Sequence, residues 1–353
     1  MKKNWSLSAT QVWWMLAVLG FVIYSNTFRC SFVFDDHVFL KKASGIHHFI
    51  DIHTIWQAFN TRFVVGFSLA LNYWLGKENV FGYHVFNLVV HVLNSFLVYQ
   101  LVCLTFQTPR LKKGSSLDPK LIGFLTSLVF LTHPLQTQGV TYIWQRATSL
   151  AALFYIGALV FYVKSRLKAS WKDYALCLLF AILGMFTKEI VFTLPLMILL
   201  YEFLFLDKKS RKIFMLIPIL ASLFIIPLTM TQASEKTLSL IRPNGVYFNK
   251  AESLVHNLSQ MTRTAGDDKM TRQEFILTEL NVLKTYLRLF VFPVKQSVDY
   301  DYPKAKSLLE VNTLLSFLLL LVLFFFGIFL LKNHPLNRML EPMSGRYHPT
   351  SFG

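Results

Sequence analysis

The sequence predicts an all-α polytopic membrane protein, on three observations. Of its 353 residues 54% are hydrophobic and only 15% charged. The apolar residues come in long blocks rather than in the stripes of soluble amphipathic helices or the alternation of half-buried strands. The basic residues collect in short clusters between those blocks.

A span needs about 20 mostly apolar residues. Windows at 9–28, 84–106, 147–163, 172–187, 190–206, 213–230 and 314–331 qualify, and shorter candidates lie at 121–134 and 279–292, so eight or nine helices are expected. The first window follows Lys2 and Lys3, but its end, VIYSNTF, lacks the small residues of a cleavage site, so it reads as an uncleaved span. Before the second window, IHHFIDIHTIWQAF is an amphipathic candidate and RFVVGFSLALNYWLG is apolar enough to lie along a membrane surface. The expected organisation is a membrane-embedded domain over 1–331, with external loops at about 29–83 and 231–280, and a short polar tail over 332–353.

The formal charge of +16 is spread over clusters with no long polybasic run, so the expected partner is the bilayer and not a nucleic acid. Arg110, Lys112, Lys113 and Lys120 form one cluster; Lys164, Arg166, Lys168 and Lys172 a second; Lys208, Lys209, Arg211 and Lys212 a third. The positive-inside rule makes these loops and the N-terminus cytoplasmic. Cys30, Cys103 and Cys177 offer neither a disulfide framework nor a metal-ligand spacing.

With that topology the residues that are costly in a membrane fall on the outer side. Asp35 and Asp36 follow the first span, in FVFDDHVFL; their bland reading is a solvated loop start, their sharper one an acid/base site. His84, Asn87 and His91 stand at i, i+3 and i+7 and share one helix face, either packed on other helices or lining a pocket. Seven residues separate the two histidines by about 10.5 Å along a helix, too far for two ligands of one zinc. His133-Pro134 ends a span as a cap or a pocket residue. Arg146 reads as an interfacial anchor or a site cation. Lys188-Glu189 sits between two apolar runs, where each charge costs roughly 2.5–3.5 kcal/mol at bilayer depth, unless it is an interfacial pair with Lys snorkelling. No Gly-rich phosphate loop, HExxH, GxSxG or 34-residue repeat is visible, so soluble-enzyme templates do not apply.

Five blocks in order carry a resemblance: FVFDDH; NTRFVVGFSLALNYWLGKENVFGYHVFNLVVHVLN; LVFLTHPLQTQGVTYIWQRATSLAALF; LGMFTKEIVFTLP; and YLRLFVFPVKQSVDYDYP. Over about residues 30–305 the chain resembles the membrane part of the transmembrane and TPR-repeat-containing O-mannosyltransferases, and through them the GT-C glycosyltransferases. The family usually shows Arg-Pro where Arg62-Phe63 stands, an acid at Gln138, and Gly-Arg at Gln145-Arg146. Its tetratricopeptide repeats have no counterpart here, where only KNHPLNRMLEPMSGRYHPTSFG follows the last span.

The resemblance implies a GT-C-type transmembrane fold. It also implies transfer of a sugar, mannose being the expected one, from a polyprenyl phosphate to a hydroxyl of a protein Ser or Thr on the non-cytoplasmic face. In that role Asp35 takes the acceptor proton, while Asp36 orients it or holds a divalent cation such as Mg or Mn. Arg146, Lys188 and Arg62 are the candidate donor-phosphate ligands, with Glu189 setting the position of Lys188; His84, Asn87, His91 and His133 are candidate acceptor or pocket residues. A lipid or envelope-polymer acceptor is the nearest alternative, and a transporter, a flippase and an inactive scaffold are the rivals from other classes. A bacterial inner membrane is the expected location, or the endoplasmic reticulum in a eukaryote.

Overall fold

A computed structural model describes residues 7–37, 44–47, 49–112, 117–206, 213–229, 270–298 and 300–333. Lys2, Lys3, Lys113, the 208–212 cluster, most of the expected 231–280 loop and the tail from 334 lie outside the described residues. The chain divides into two compact units, Met1–Asn257 and Leu258–Gly353. Among the described residues all regular structure is helical, and the protein is an all-α polytopic membrane protein.

In the first unit α1 (Ala9–Tyr24) starts at a Ser8–Gln11 capping box and runs on as a 3₁₀ turn to Arg29. Two short helices follow, α2 (Ile52–Phe59), capped by Asp51, and α3 (Phe63–Gly76). Then come α4 (Val80–Thr105) and α5 (Pro119–Thr132), where Asp118 caps the first amides and Pro119 takes the position that has no use for an N–H. The chain continues with α6 (Arg146–Lys168), α7 (Trp171–Met185), α8 (Leu194–Phe205) and α9 (Leu216–Ala221). Both helices expected before the second span are present as α2 and α3.

Among the described residues four helical stretches are long and apolar enough to cross a membrane: Ala9–Arg29, Val80–Thr105, Ile143–Lys168 and Val311–Phe329. The other apolar windows, that at 279–292 apart, fold as shorter helices, for reasons prolines supply in two cases. The run expected at 190–206 opens as a 3₁₀ turn, Glu189–Thr193, and becomes α-helical only where Pro195 sits in the first turn of α8. The run at 213–230 is interrupted by a 3₁₀ turn at Ser222–Phe224, where the ring of Pro227 opposes the carbonyl of Leu223.

α6 is the axis of the unit and packs on both α4 and α7. Its contact with α7 requires a bare backbone at Gly157, where an added Cβ would stand 2.4 Å from the Phe180 ring. At the C-terminal end of α6, Arg166 donates from Nη2 to Glu202 Oε1 at 2.7 Å and from Nε to Oε2 at 3.0 Å, and the Tyr162 hydroxyl donates to Oε2 at 2.8 Å. The charged ends of both residues are buried. Arg166 is therefore not one of a row of solvated loop cations: α6 continues to Lys168, and the acid that pairs with it comes from α8. Lys164 beside it donates to Gln100, and Arg110 to the Leu204 carbonyl, so the described residues of the first two basic clusters that make such bonds tie α4, α6 and α8 together at this end.

In the second unit α10 (Arg272–Val291) begins at a Thr271–Glu274 capping box, and α11 (Val311–Asn333) carries the last apolar window. Asn281 of α10 joins the two, donating to Thr313 at 3.1 Å and accepting from Ser316 at 2.7 Å. The window expected at 279–292 is the latter half of α10, whose charges Arg272, Glu274, Glu279, Lys284 and Arg288 keep it out of the membrane-crossing set.

Candidate active site

The two aspartates lie in a tight turn with opposite exposures. Phe34 takes a left-handed φ of 47°, which folds the chain back on itself. Asp36 is then 1% exposed. Its Oδ2 accepts from the Val33 amide at 3.1 Å and its Oδ1 from the Trp144 amide at 2.8 Å, a contact across 108 residues. Burial raises the Asp36 carboxyl above its ordinary value, although the two amides pull the other way. Asp35 is exposed; its amide donates to the Tyr142 hydroxyl at 3.1 Å. Burial, with the Asp35 carboxylate adding to it, pushes that phenol up to about 12.

Trp144 leads into Arg146 at the start of α6, and this side chain is wholly buried. Nε donates to Asn87 Oδ1 at 2.8 Å, Nη1 to the Ser68 carbonyl at 3.1 Å and Nη2 to the Tyr83 carbonyl at 3.1 Å. The guanidinium also lies 4.2 Å from the Phe86 ring centre. All three acceptors are neutral, and among the described residues no carboxylate is within ion-pairing distance; Asp36 acts on it electrostatically from farther off. The sequence suggested an interfacial anchor or a phosphate ligand, whereas the fold seals Arg146 behind α3 and α4.

The polar face of α4 is longer than expected. His84, Asn87, His91 and Asn94 stand at i, i+3, i+7 and i+10, each 2% exposed or less. Each meets a backbone carbonyl: Cys30 at 3.0 Å, Val140 at 3.2 Å, Leu131 at 3.1 Å and Ser149 at 2.9 Å. Three of those carbonyls belong to chain leaving a helical segment, where the ladder gives out and the oxygens need outside donors. The packed-face reading of His84, Asn87 and His91 accounts for these contacts, and none of the three is open to solvent. Asn94 completes the pattern and was legible at the same spacing. His133 caps α5, with Nδ1 accepting from the Leu135 amide at 3.2 Å.

The remaining cations meet at the turn after α7. Arg62 donates from Nε and Nη2 to the two carboxylate oxygens of Glu189, both at 3.1 Å, with about a third of each side chain exposed. The Val64 amide donates to the Phe186 carbonyl at 3.0 Å, so α3 and this turn are fastened twice. Glu189 thus holds Arg62, and Lys188 is held otherwise: its Nζ donates to Thr148 Oγ1 at 2.7 Å, and Thr148 donates to Gln145 Oε1 at 2.6 Å. Among the described residues Lys188 makes no ion pair. Burial first, and the Arg62 charge second, lower its pKa, while Arg62 overcomes the effect of burial on Glu189 and holds that carboxyl down.

Asp36, Trp144, Gln145, Arg146, Thr148 and Lys188 therefore form one connected region at the end of the first unit opposite the Arg166–Glu202 pair. Sequence reasoning missed Gln145 and Thr148, which only the extended backbone of Lys188 brings into play. Among the described residues no three His, Cys, Asp or Glu side chains converge as a metal site, so nothing beyond Asp36 itself supports the divalent cation considered for it. Among the described residues Arg146 and Lys188 make no ion pair, and an exposed carboxylate in the same region is suited to proton removal next to a bound anion.

The fold and this region define a polytopic membrane protein with an acid and cations gathered at one end of its bundle. Comparison with known proteins agrees with the sequence blocks. The chain is 28% identical over 156 residues to protein O-mannosyl-transferase TMTC3 of Mus musculus, covering 40% of this chain and 16% of that protein. It is 32% identical over 107 residues to protein O-mannosyl-transferase F38B6.6 of Caenorhabditis elegans, covering 29% and 14%. With protein O-mannosyl-transferase Tmtc1 of Drosophila melanogaster it shares 26% identity over 196 residues, covering 50% and 21%. These matches span about a fifth or less of the length of those relatives. No family model matches the chain, and no solved structure matches it.

Proposed function

We propose that the protein is a GT-C-type glycosyltransferase that moves mannose from a polyprenyl phosphate to a protein hydroxyl on the non-cytoplasmic face of a membrane. The observation that supports this reading is that Asp36, beside the exposed Asp35, accepts from the Trp144 amide two residues before the buried Arg146, while Lys188 donates to Thr148 two residues after it. Similarity to proteins named O-mannosyl-transferases supports the sugar and the kind of acceptor. The concentration of Lys164, Lys168 and Lys172 toward the other end supports the sidedness.

Asp35 takes the proton of the acceptor hydroxyl as its oxygen attacks C1 of the sugar. The C1–O bond to phosphate breaks, the electron pair departs with the polyprenyl phosphate, and the configuration at C1 inverts. A phosphate is a weak base and leaves without a proton, so the leaving side needs positive charge and not an acid. Lys188, half-buried and without an ion pair among the described residues, meets the phosphate directly. Arg146, sealed from solvent, contributes its field to the same end. Glu189 keeps Arg62 in place beside Lys188.

The test is the full chain in lipid nanodiscs with polyprenyl-phosphate mannose and a Ser/Thr-containing polypeptide. Asp35→Asn is expected to lower turnover by about 100-fold or more while donor affinity stays within about twofold. Undiminished turnover overturns the assignment of Asp35 as base.

A further inference from the structure

We infer that Gln145 and Thr148 are positioning residues that aim the Lys188 ammonium at the phosphate of the lipid-linked donor, an inference that rests on the proposed function. An ammonium only donates, so Thr148 must accept from it and send its own proton elsewhere. Gln145 Oε1 receives that proton at 2.6 Å, which also fixes the orientation of the Gln145 amide. Without Gln145 the Thr148 hydroxyl, in the first turn of α6, would turn to a backbone carbonyl of its own helix. Lys188 would then lose the acceptor that holds it at 2.7 Å.

The chemistry of the relay suits a phosphate ligand. Thr148 is neutral and occupies one of the three N–H bonds of Lys188, leaving two N–H bonds and the full charge for a ligand. A carboxylate in its place would hold the ammonium as firmly but neutralise it. The carboxylate nearest in sequence, Glu189, is engaged in two hydrogen bonds with Arg62. Lys188 itself is extended, with φ −158° and ψ 146°, and reaches across to α6 where a helical conformation would carry it away. Thr148 is exposed and Gln145 half-exposed, so the relay lies at the surface a lipid headgroup would approach and not in the packed core.

The experiment measures binding of sugar-free polyprenyl phosphate, and the kinetics of mannose transfer from polyprenyl-phosphate mannose, for the full chain and three variants. Thr148→Val and Gln145→Ala are each expected to weaken polyprenyl phosphate binding by about tenfold, to raise the donor KM similarly, and to leave kcat at saturating donor and the acceptor KM within about twofold. Thr148→Ser, which keeps the hydroxyl, restores donor binding. A merely structural role would move acceptor KM, kcat and melting temperature together and would not separate Ser from Val. Unaltered donor binding in both Thr148→Val and Gln145→Ala overturns the inference alone. Failure of the wild-type chain to bind polyprenyl phosphate overturns the proposed function, and this inference with it.

Discussion

Asp35 and Asp36 are neighbours in the chain and opposites in environment. The sequence marked the pair, because two carboxylates in a Phe- and Val-rich tract need a reason. It held no sign of which would be buried, since that depends on the left-handed Phe34 and on a Trp144 amide more than a hundred residues away. Truncating Asp36 leaves that buried amide without an acceptor, at a cost of about 1–3 kcal/mol. Asp36→Ala is therefore expected to melt at a lower temperature than Asp35→Ala when both are heated in detergent; equal melting would show that the Trp144 contact carries no stability. A pH effect follows as well. Because burial raises Asp36, the native chain holds this proton to higher pH than the unfolded chain, whose carboxyl titrates near 3.8. The stability linked to Asp36 is thus greatest at low pH, falls as pH rises from the unfolded through the folded value, and is flat above it. Over that window wild type is expected to lose stability relative to Asp36→Asn, measured by thermal unfolding from about pH 4 to pH 7. A difference that does not change with pH would mean that ionised Asp36 is fully compensated.

At the scale of elements, the Arg166–Glu202 pair shows what patterning conveys and what it cannot. Each apolar window falls on helical chain, since block hydrophobicity reflects what must face lipid or core, but the window at 279–292 is only the latter half of α10 and that at 213–230 is interrupted. The polar face of α4 was equally legible, because i, i+3, i+7 is a property of one helix. Partnerships between elements were not. Arg166 looked like one cation in a loop cluster, and Glu202, 36 residues on in an apolar run, drew no reading at all. Their pairing depends on how α6 and α8 cross, and the bonds from Lys188 to Thr148 and from Thr148 to Gln145 were illegible for the same reason. The pair is buried, so removing one partner strands the other charge, whereas removing both need cost little. Glu202→Leu is expected to destabilise the protein by about 3–5 kcal/mol, and the double variant Arg166→Met/Glu202→Leu to recover most of that loss. If the double variant is as unstable as the single one, the pair does more than satisfy its own charges.

For the whole molecule the decisive matter is which compartment the Asp35 end faces. The proposed chemistry needs it opposite the cytoplasm, where lipid-linked donor and acceptor meet. The distribution of charge argues the same way: the loop between α6 and α7 carries Lys168 and Lys172 at the surface, whereas at the other end Arg146 is buried and Arg62 is paired. The protein carries its own probe of this arrangement. Cys30 is exposed at the end of the first span, next to the turn that holds Asp35, whereas Cys177 is buried and Cys103 partly so. A membrane-impermeant maleimide applied to the non-cytoplasmic side of sealed vesicles should therefore label wild-type protein, and Cys30→Ser should abolish that signal. A cysteine placed at Lys172 in a Cys30→Ser background should label only after the vesicles are opened. The two sites report from opposite ends of the same bundle, so a reversed orientation exchanges their behaviour instead of merely weakening it. That exchange would set Asp35 and Lys188 in the cytoplasm and remove the ground for a non-cytoplasmic transferase, while the bonds of Asp36 to Trp144 and of Lys188 to Thr148 would stand unchanged.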